Sequence, residues 1–317
     1  MELRKDYILD RYVIVSDKRG KRPIELKPED IAPEKSPAPL CYFCPGNESM
    51  TPAEKGRFSD PWHIRWFDNK FQIVEPKGNP VIRTDNKYFT FSDAYGHHEV
   101  IVDSRDHSRQ LQDLSESEML DVLKIYRNRM VELAKEDPIR YVHLFKNFGK
   151  DAGASIRHSH TQIISLNHVP RLIQEEIDAV KKFHACPFCE ILNIEKNSDR
   201  RCFENSDFVA FTPYASRFNY EIWVLPKRHL CSMDWLDDIL LANLATILKQ
   251  IFSRMKILGC DYNFTIHYTP KNSSTELHLH LEIMPRIAAL AGVELGSETY
   301  VNIVSPETAA KFYRREE

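Results

Sequence analysis

The hydrophobic and polar positions of this chain follow the same order twice. Residues 98–107 and 220–229 alternate between apolar and polar side chains, and each segment ends in a histidine. This period of two predicts half-buried β-strands. After each strand comes a pattern with apolar residues at helical spacing, which predicts long helices that begin at Ser115 and at Asp237. Gly259 is a suitable residue to end the second helix.

Each predicted helix is followed by a further strand-like segment and by two histidines that are separated by one residue. The strand-like segments are residues 141–148 and 262–269. The histidine pairs are His158 with His160 and His278 with His280. Each half of the chain also carries a Cys-x-x-Cys motif ahead of its first strand. Five features in the same order predict an internal duplication.

The duplication predicts an α+β fold of two tandem halves, each with an antiparallel sheet and a long helix. The halves are expected to span residues 1–170 and 171–317, with the joint near residues 170–182. Residues 151–156 form the main loop of small residues, and this loop runs directly into the first histidine pair.

Composition and charge exclude several classes of function. The chain has 317 residues, of which 42% are hydrophobic, and its formal net charge is -3. These values are typical of a globular protein and make a nucleic-acid or anionic-membrane partner unexpected. No apolar run approaches the roughly 18 residues of a membrane span, and the N-terminus lacks an apolar signal segment. We therefore expect a soluble, cytoplasmic protein.

The seven cysteines do not form a plausible disulfide framework, because their number is odd and no secretion signal is present. Cys202, Cys231 and Cys260 are scattered, and we expect them to be small buried apolar residues. The four paired cysteines need another explanation.

Each Cys-x-x-Cys motif can combine with two distant histidines in a tetrahedral Cys₂His₂ zinc site. The first candidate set is Cys41, Cys44, His107 and His158. The second candidate set is Cys186, Cys189, His229 and His278. Zinc with four protein ligands would stabilise the strand that carries the histidine pair rather than perform chemistry. Buried thiols and core histidines without metal are the alternative interpretation.

The loop before the first histidine pair indicates chemistry on phosphate. In a strand, His158, His160 and Gln162 point to the same face, so a zinc ion on His158 would fix His160 beside it. Gly153 and Ser155 can offer backbone N–H groups and a hydroxyl to a phosphate. A fixed imidazole that faces bound phosphate favours nucleophilic attack on phosphorus, although an ordinary buried polar strand has the same pattern.

A basic turn near the N-terminus is open to two interpretations. Arg19, Lys21 and Arg22 follow a strand-like segment. They could be solvated, or they could clamp phosphates, which suits the planar guanidinium group.

Together these segments resemble the galactose-1-phosphate uridylyltransferase family of the histidine-triad superfamily, over nearly the whole chain. The matching segments are RYVIVSDKRGKRP, CYFCPGNE, WFDNKF, DSRDHS, NFGKDAGAS and HSHTQ. The resemblance implies the first metal set above, His160 as nucleophile and Gln162 as a phosphate contact. It also implies nucleotide contacts at Arg19, Arg22, Asn69, Asn147, Gly153 and Ser155.

The implied activity is uridylyl exchange between a UDP-hexose and a hexose 1-phosphate. His160 would attack the α-phosphorus, release a sugar 1-phosphate and carry the nucleotidyl group to a second sugar 1-phosphate or to phosphate. Histidine-triad hydrolases carry a third histidine where this chain has Gln162. An amide donates hydrogen bonds but cannot act as a general acid, which favours transfer over hydrolysis.

Three departures from the family pattern concern the substrate. The family's HPH is His158-Ser-His160, its Asn-Asp pair is Asn69-Lys70, and the lysine and phenylalanine often used for the hexose phosphate fall on Ala288 and Ala289. The small-residue loop and the second Cys-x-x-Cys motif look more like the branch that includes ADP-glucose phosphorylase. Adenylyl transfer from ADP-glucose to phosphate is therefore an alternative.

Further alternatives are a dinucleoside polyphosphate phosphorylase and a non-catalytic, zinc-stabilised protein that binds nucleotides. The family also has a different second metal site, which here would use Glu176, His267, His278 and His280. We favour the cysteine set because thiolates suit zinc. The resemblance further implies that residues 292–294 border the sugar pocket, which family members often complete across a homodimer.

Overall fold

The computed structural model describes residues 1–16 and 41–316. The predicted phosphate-binding residues Arg19, Lys21 and Arg22 lie outside the described residues. The helices are α1 (Glu116–Ala134), α2 (Arg171–Val180), α3 (Pro187–Glu195), α4 (Asp238–Leu258), α5 (Gly292–Ser297) and α6 (Pro306–Arg314). The strands of the first half are β1 (Glu2–Lys5), β2 (Tyr12–Val15), β3 (Glu54–Phe58), β4 (Ile64–Asp68), β5 (Arg83–Thr84), β6 (Thr90–Phe91), β7 (His98–Val102), β8 (Tyr141–Phe148) and β9 (His160–Leu166). Those of the second half are β10 (Arg201–Glu204), β11 (Phe208–Phe211), β12 (Ile222–Pro226), β13 (Tyr262–His267), β14 (His280–Pro285) and β15 (Tyr300–Asn302).

The main sheet repeats one strand order in both halves. Within the described residues it has ten strands in the order β10-β11-β12-β14-β13-β8-β9-β7-β4-β3. Read from either edge toward the centre, each half contributes a hairpin, the strand that precedes the helix, the strand that follows the histidine pair, and the strand that follows the helix. The duplication is therefore visible in the topology.

The antiparallel strands of the two halves join in one continuous sheet. Strands β8 and β13 pair antiparallel across the junction, with Tyr262 opposite Phe148 and Asn263 opposite Asn147. The edge strand of each half thereby finds hydrogen-bonding partners in the other half, which removes two exposed edges.

The two long helices begin and end where the sequence predicts. The hydroxyl of Ser115 accepts the backbone N–H of Glu118, which completes a capping box at the start of α1. The carboxylate of Asp237 accepts the N–H of Leu240 at the start of α4. Gly259 ends α4 with a φ of 64°, a left-handed conformation that favours glycine. Helices α1 and α4 pack against each other, and their buried residues belong to one apolar core that spans both halves.

The predicted joint is helical and is crossed by further contacts. Residues 171–180 form α2. Strands β1, β2 and β15 form a small sheet, in which β2 runs parallel to β15. The guanidinium of Arg4 also contacts the carboxylate of Glu307 at 3.0 Å. The N-terminal strands therefore pack on the second half. The division of the chain into halves at residue 170 stays a prediction.

The scattered cysteines largely meet the expectation. Cys202 and Cys231 are buried, whereas Cys260 is only half-buried because it follows the exposed end of α4. Among the described helices, none is long and apolar enough to cross a membrane.

Candidate functional site

The first predicted metal set comes together beside the first histidine pair. The ligand atoms of Cys41, Cys44, His107 and His158 all lie within 4.8 Å of one another. The sulfurs of Cys41 and Cys44 are each 3.6 Å from Nδ1 of His158, and Cys44 Sγ is 3.4 Å from Nδ1 of His107. In a tetrahedral zinc site, bond lengths of about 2.3 Å to sulfur and 2.0–2.1 Å to nitrogen place these atoms about 3.6 Å apart. The first set fits zinc.

The second predicted set has the same geometry. Nδ1 of His278 lies 3.8 Å from the sulfur of Cys186 and 3.5 Å from that of Cys189, and Nδ1 of His229 lies 3.6 Å from Cys189 Sγ. Here Cys186 caps the N-terminus of α3 and Cys189 lies in its first turn, whereas the first motif is a turn without a helix. The arrangement of the donor atoms is nevertheless alike.

A hydrogen bond behind each central histidine fixes the tautomer that a metal needs. Nε2 of His158 lies 2.7 Å from the carbonyl oxygen of Ser104, and Nε2 of His278 lies 2.9 Å from that of Pro226. A carbonyl oxygen can only accept, so both Nε2 atoms carry the proton and both Nδ1 lone pairs face the thiols. Buried thiols without metal would not require this matched orientation.

The alternative second metal set loses His278, which faces the cysteines. Its remaining members lie in a separate buried cluster with Glu282, and the four ligand atoms are within 4.8 Å of one another. In this cluster, Nδ1 of His267 lies 3.0 Å from Glu176 Oε1, and Nε2 of His280 lies 4.0 Å from the same oxygen. The cluster could hold a metal ion of its own, independent of the cysteines.

The imidazole ring of His160 is oriented by its own strand. Its Nδ1 donates a hydrogen bond to the carbonyl oxygen of His158 at 2.8 Å, which leaves the lone pair on Nε2. Burial, with a further contribution from the ammonium group of Lys146, lowers the pKa of His160 to about 4, so the imidazole is neutral near pH 7. Because His158 also belongs to the metal set, one short segment positions both groups.

A buried ion pair between Lys146 and Asp103 contacts the start of strand β9. The ammonium group of Lys146 donates to Asp103 Oδ2 at 2.8 Å, to the hydroxyl of Ser159 at 3.0 Å and to the carbonyl oxygen of His160 at 2.9 Å. Asp103 Oδ1 also accepts the hydroxyl of Tyr126 at 2.8 Å. Both charged groups are nearly fully enclosed, yet their hydrogen-bonding capacity is well used, so the pair holds the backbone of His160.

The orientation of Gln162 depends on His98, a residue that the sequence reasoning missed. Backbone N–H groups of Phe71 and Ile73 donate to Asn69 Oδ1 and to His98 Nδ1, so Asn69 Nδ2 and His98 Nε2 are donors. Both point at Gln162 Oε1, at 3.2 and 2.8 Å. The carbonyl of Gln162 is thus engaged, and its NH₂ group is available to a phosphoryl oxygen. Burial lowers the pKa of His98 and keeps it neutral.

No local signal distinguished His98 from a buried strand residue. The strand pattern around it indicates only alternation, and its partners Asn69 and Gln162 are distant in sequence. The one available hint was the position of His98 at the start of β7, the strand that pairs with β9.

A cavity of about 530 Å³ opens in front of His160 and is lined by Lys146, Asn147, Ser155 and His158 among others. The N–H of Gly153 donates to the carbonyl oxygen of Lys150 at 2.9 Å, so it is used inside the loop. The expectation that Gly153 contacts a nucleotide stays a prediction. Gly153 has a φ of 84°, a left-handed conformation that favours glycine.

A smaller, largely apolar cavity of about 160 Å³ adjoins Asn69. Its lining includes Phe43, Phe67, Val100 and Ile156. Phe43 follows the first cysteine by two residues, and its ring lies 5.3 Å from that of His160. A flat apolar group bound in this cavity would lie close to the imidazole of His160.

The second half repeats the local geometry of His160 but encloses it. Nδ1 of His280 lies 2.9 Å from the carbonyl oxygen of His278, as in the first half. His280 is fully buried and stacks on Phe188 with a centroid distance of 4.8 Å, and the counterpart of Gln162 is Glu282, which pairs with Arg217. His160 lines a cavity, whereas His280 is fully buried.

Comparison with known proteins gives consistent matches over the whole chain. Residues 1–170 match the family model described as galactose-1-phosphate uridyl transferase, N-terminal domain. ADP-glucose phosphorylase from Arabidopsis thaliana is 33% identical, over 99% of this chain and 92% of that protein. Galactose-1-phosphate uridylyltransferase from Thermotoga maritima is 27% identical, over 100% of this chain and 99% of that protein.

The fold agrees with a solved structure in which a nucleotide-sugar is bound. The crystal structure of an ADP-glucose phosphorylase from Arabidopsis thaliana with bound ADP-glucose superimposes with a TM-score of 0.85 and 30% identity. The match covers 99% of this chain and 98% of that one.

Proposed function

The chain belongs to the galactose-1-phosphate uridylyltransferase family, and from that membership we propose that it is a nucleotidyltransferase in which His160 carries the nucleotidyl group. One observation carries the role of His160. Its Nδ1–H is held by the carbonyl oxygen of His158, so the lone pair of the fixed ring is on Nε2, and His160 lines a cavity. Its counterpart in the second half, His280, has the same hydrogen bond but is fully buried.

The reaction needs two displacements at one phosphorus. Nε2 of His160 forms a bond to the α-phosphorus of a nucleotide-sugar, and the bond to the sugar 1-phosphate oxygen breaks. An oxygen of the incoming acceptor then bonds to phosphorus, and the bond to Nε2 breaks. The Nδ1–H stays on the ring throughout, and its carbonyl partner stabilises the positive charge of the intermediate.

The surrounding donors act on the phosphoryl oxygens. The NH₂ group of Gln162 is available because its carbonyl is held by Asn69 and His98. Asn147, with its amide, and Ser155, with its hydroxyl, line the same cavity as His160. None of these groups is a general acid. A sugar 1-phosphate leaves without one, because it is already a stable anion. The apolar cavity beside Asn69 suits the base of the nucleotide.

The proposal includes a structural zinc ion in each Cys₂His₂ set. The distances between sulfur and nitrogen support it, as do the carbonyl partners of His158 and His278. All four positions of each ion would be filled by protein atoms. The ion would therefore hold the strand that follows its central histidine and would not exchange ligands with substrate.

Uridylyl exchange between a UDP-hexose and a hexose 1-phosphate is the first candidate reaction, since the family model carries that name. Adenylyl transfer from ADP-glucose to phosphate is the second. The similarity to the Arabidopsis ADP-glucose phosphorylase, at 33% identity and with ADP-glucose bound in its structure, specifically favours the second.

Mass spectrometry of the intact protein tests the proposal. The protein is exposed briefly to UDP-glucose and, separately, to ADP-glucose, without an acceptor. A uridylyl adduct supports the first candidate and an adenylyl adduct the second. Galactose 1-phosphate and phosphate are then compared for their ability to discharge the adduct. No adduct with either donor would overturn the proposal and favour a non-catalytic nucleotide-binding protein.

The proposal also places the sugar pocket beside residues 292–294, where a second copy of the chain completes it. Helix α5 begins at Gly292, and Val293 and Leu295 on it are 51% and 72% exposed. This exposure supports a site that a second copy of the chain completes. Analytical ultracentrifugation measures whether the protein is a homodimer, and a cytoplasmic location remains part of the prediction from composition.

A further inference from the structure

The second half of the chain touches the loop that precedes His160. Asn263 on β13 lies opposite Asn147 on β8, at the junction of the two halves. Its side-chain NH₂ group donates to Asn147 Oδ1 and to the carbonyl oxygen of Ala152, each at 2.9 Å. One amide from the second half therefore contacts both a cavity residue and the small-residue loop.

These contacts determine which end of Asn147 faces the cavity. The carbonyl oxygen of Ala152 can only accept, so the NH₂ end of Asn263 must face it. The same NH₂ group then requires Asn147 to present Oδ1, and Nδ2 of Asn147 points away, toward Gly153. A main-chain carbonyl thus orients Asn263, and Asn263 orients Asn147.

A second residue of the same segment holds the beginning of the loop. Asp261 Oδ2 accepts the backbone N–H of Asp151 at 2.7 Å. The loop backbone at Gly149, with a φ of 83°, lies so close to this carboxylate that a Cβ on residue 149 would overlap it. The loop is therefore held at Asp151 by Asp261 and at Ala152 by Asn263.

We propose that Asn263 is a positioning residue for nucleotidyl transfer, which it serves by turning the NH₂ group of Asn147 toward the phosphoryl oxygens. This inference rests on the proposed function. It assigns the second half a direct part in the active site, although that half carries neither the nucleophile nor its glutamine.

The isosteric variant Asn263→Asp tests the inference. It removes both N–H donors and sets a carboxylate against the carbonyl oxygen of Ala152. Asn147 can then donate its NH₂ group to the new carboxylate, which turns its Oδ1 toward the phosphate. We expect the rate of nucleotidyl-histidine formation to fall by roughly tenfold to a hundredfold, as for the loss of one oriented donor. The zinc content should not change.

Asn263→Ala keeps the test decisive if the aspartate variant folds poorly. Without a hydrogen bond from residue 263, the amide of Asn147 can rotate between its two orientations. In Asn263→Asp, by contrast, the amide is held in the opposite orientation. The rate should therefore lie between those of the wild type and Asn263→Asp. A role in folding alone would instead reduce the amount of active protein and leave the rate per active site unchanged.

A double-mutant cycle separates orientation from general support. In an Asn147→Ala background, Asn263→Asp should slow adduct formation by a much smaller factor than in the wild type. Asn205→Asp is the matched control, because Asn205 is also half-buried and donates from Nδ2 to the carbonyl oxygen of Asn243 at 2.8 Å, outside the cavity. This control should react like the wild type.

Three results would overturn the inference. These are a wild-type rate in Asn263→Asp, an equal factor in both backgrounds, or an equal loss in the Asn205→Asp control. Absence of an adduct in the wild type, measured in parallel, would instead remove the proposed function itself. The two failures are therefore distinguishable.

Discussion

The imidazole of His160 owes its proposed reactivity to one hydrogen bond and to one opening. The bond from Nδ1 to the carbonyl oxygen of His158 decides the tautomer, and the cavity decides access. His280 has an equivalent bond but is fully buried, so its Nε2 cannot reach a substrate. At the residue scale, tautomer and access together distinguish a nucleophile from a core histidine.

Replacement of His160 by glycine should abolish nucleotidyl transfer while the fold and the metal content are retained. We expect the rate to fall by at least roughly a thousandfold, because the variant lacks the imidazole that bonds to phosphorus. Intact-mass adduct formation, metal analysis and thermal unfolding measure the three properties. His168→Gly, at an exposed histidine, is the control. Retained turnover in His160→Gly would disprove the nucleophile assignment.

Replacement of His98 by phenylalanine should slow transfer by roughly tenfold, with little change in affinity for the donor. The variant keeps an aromatic ring but removes the N–H group that donates to Gln162 Oε1. The amide of Gln162 then keeps only one of its two hydrogen-bond donors, Asn69. Adduct formation followed over time at several donor concentrations gives both quantities. His97→Phe is the neighbouring control, since His97 contacts Glu136 instead. Equal effects in the two variants would contradict the assignment.

Removal of the buried ammonium group should destabilise the protein. Lys146→Met leaves Asp103 charged and without its cation, and breaking such a pair costs about 3 kcal/mol or more. Urea unfolding measures this change in the free energy of unfolding. Lys135→Met removes an exposed lysine that pairs with Glu132, and it should change stability by less than about 1 kcal/mol. Similar costs for both would show that the buried network is not needed.

At the scale of elements, two Cys₂His₂ sets with the same geometry lie beside two different strands, β9 and β14. The first set includes His158, which leads into β9, and the second includes His278, which leads into β14. Strand β9 begins with His160, which lines a cavity, whereas β14 begins with His280, which is fully buried. The two sets should therefore be equivalent for metal content but not for activity.

Cys44→Ser and Cys189→Ser form a matched pair that tests this difference. Each variant should lose one equivalent of zinc, because a hydroxyl is a poor ligand for zinc compared with a thiolate. Cys44→Ser should also lose most of its adduct formation, whereas folded Cys189→Ser should retain it. Metal analysis and intact-mass spectrometry on the same samples measure both. Equal activity loss in the two variants would show that the second set also acts on the active site.

At the scale of the whole molecule, the halves are joined more closely than a tandem repeat requires. The sheet is continuous through β8 and β13, and helix α1 packs on α4. Strands β1 and β2 form a sheet with β15, from the opposite end of the chain. Each half therefore depends on the other for edge pairing and for coverage of its helix.

The fragment 1–170 should consequently fail to form a stable, monomeric domain. It would expose the edge of β8 and the apolar side of α1, and the resulting species should aggregate or remain partly unfolded. Circular dichroism and analytical ultracentrifugation of the purified fragment check this. A monomer that unfolds cooperatively would contradict it and would support autonomous halves.

The sequence by itself determined the two long helices, the strands beside them and the two sets of cysteines and histidines. Caps at Ser115, Asp237 and Gly259 act within one helical turn, and the row from His158 to Gln162 follows from strand alternation, so both are local properties. The duplicated order also predicted which cysteines and histidines belong together, since homologous halves repeat their partners.

Only the tertiary structure decided orientation and access. The amide directions of Gln162 and Asn147 depend on His98 and Asn263, which lie far away in sequence and carry no motif. The enclosure of His280 and the separation of His278 from Glu176 depend on how helices and loops pack over the strands. Local patterns arise from contacts within a few residues, whereas a hydrogen bond between distant segments exists only after the chain has closed around it.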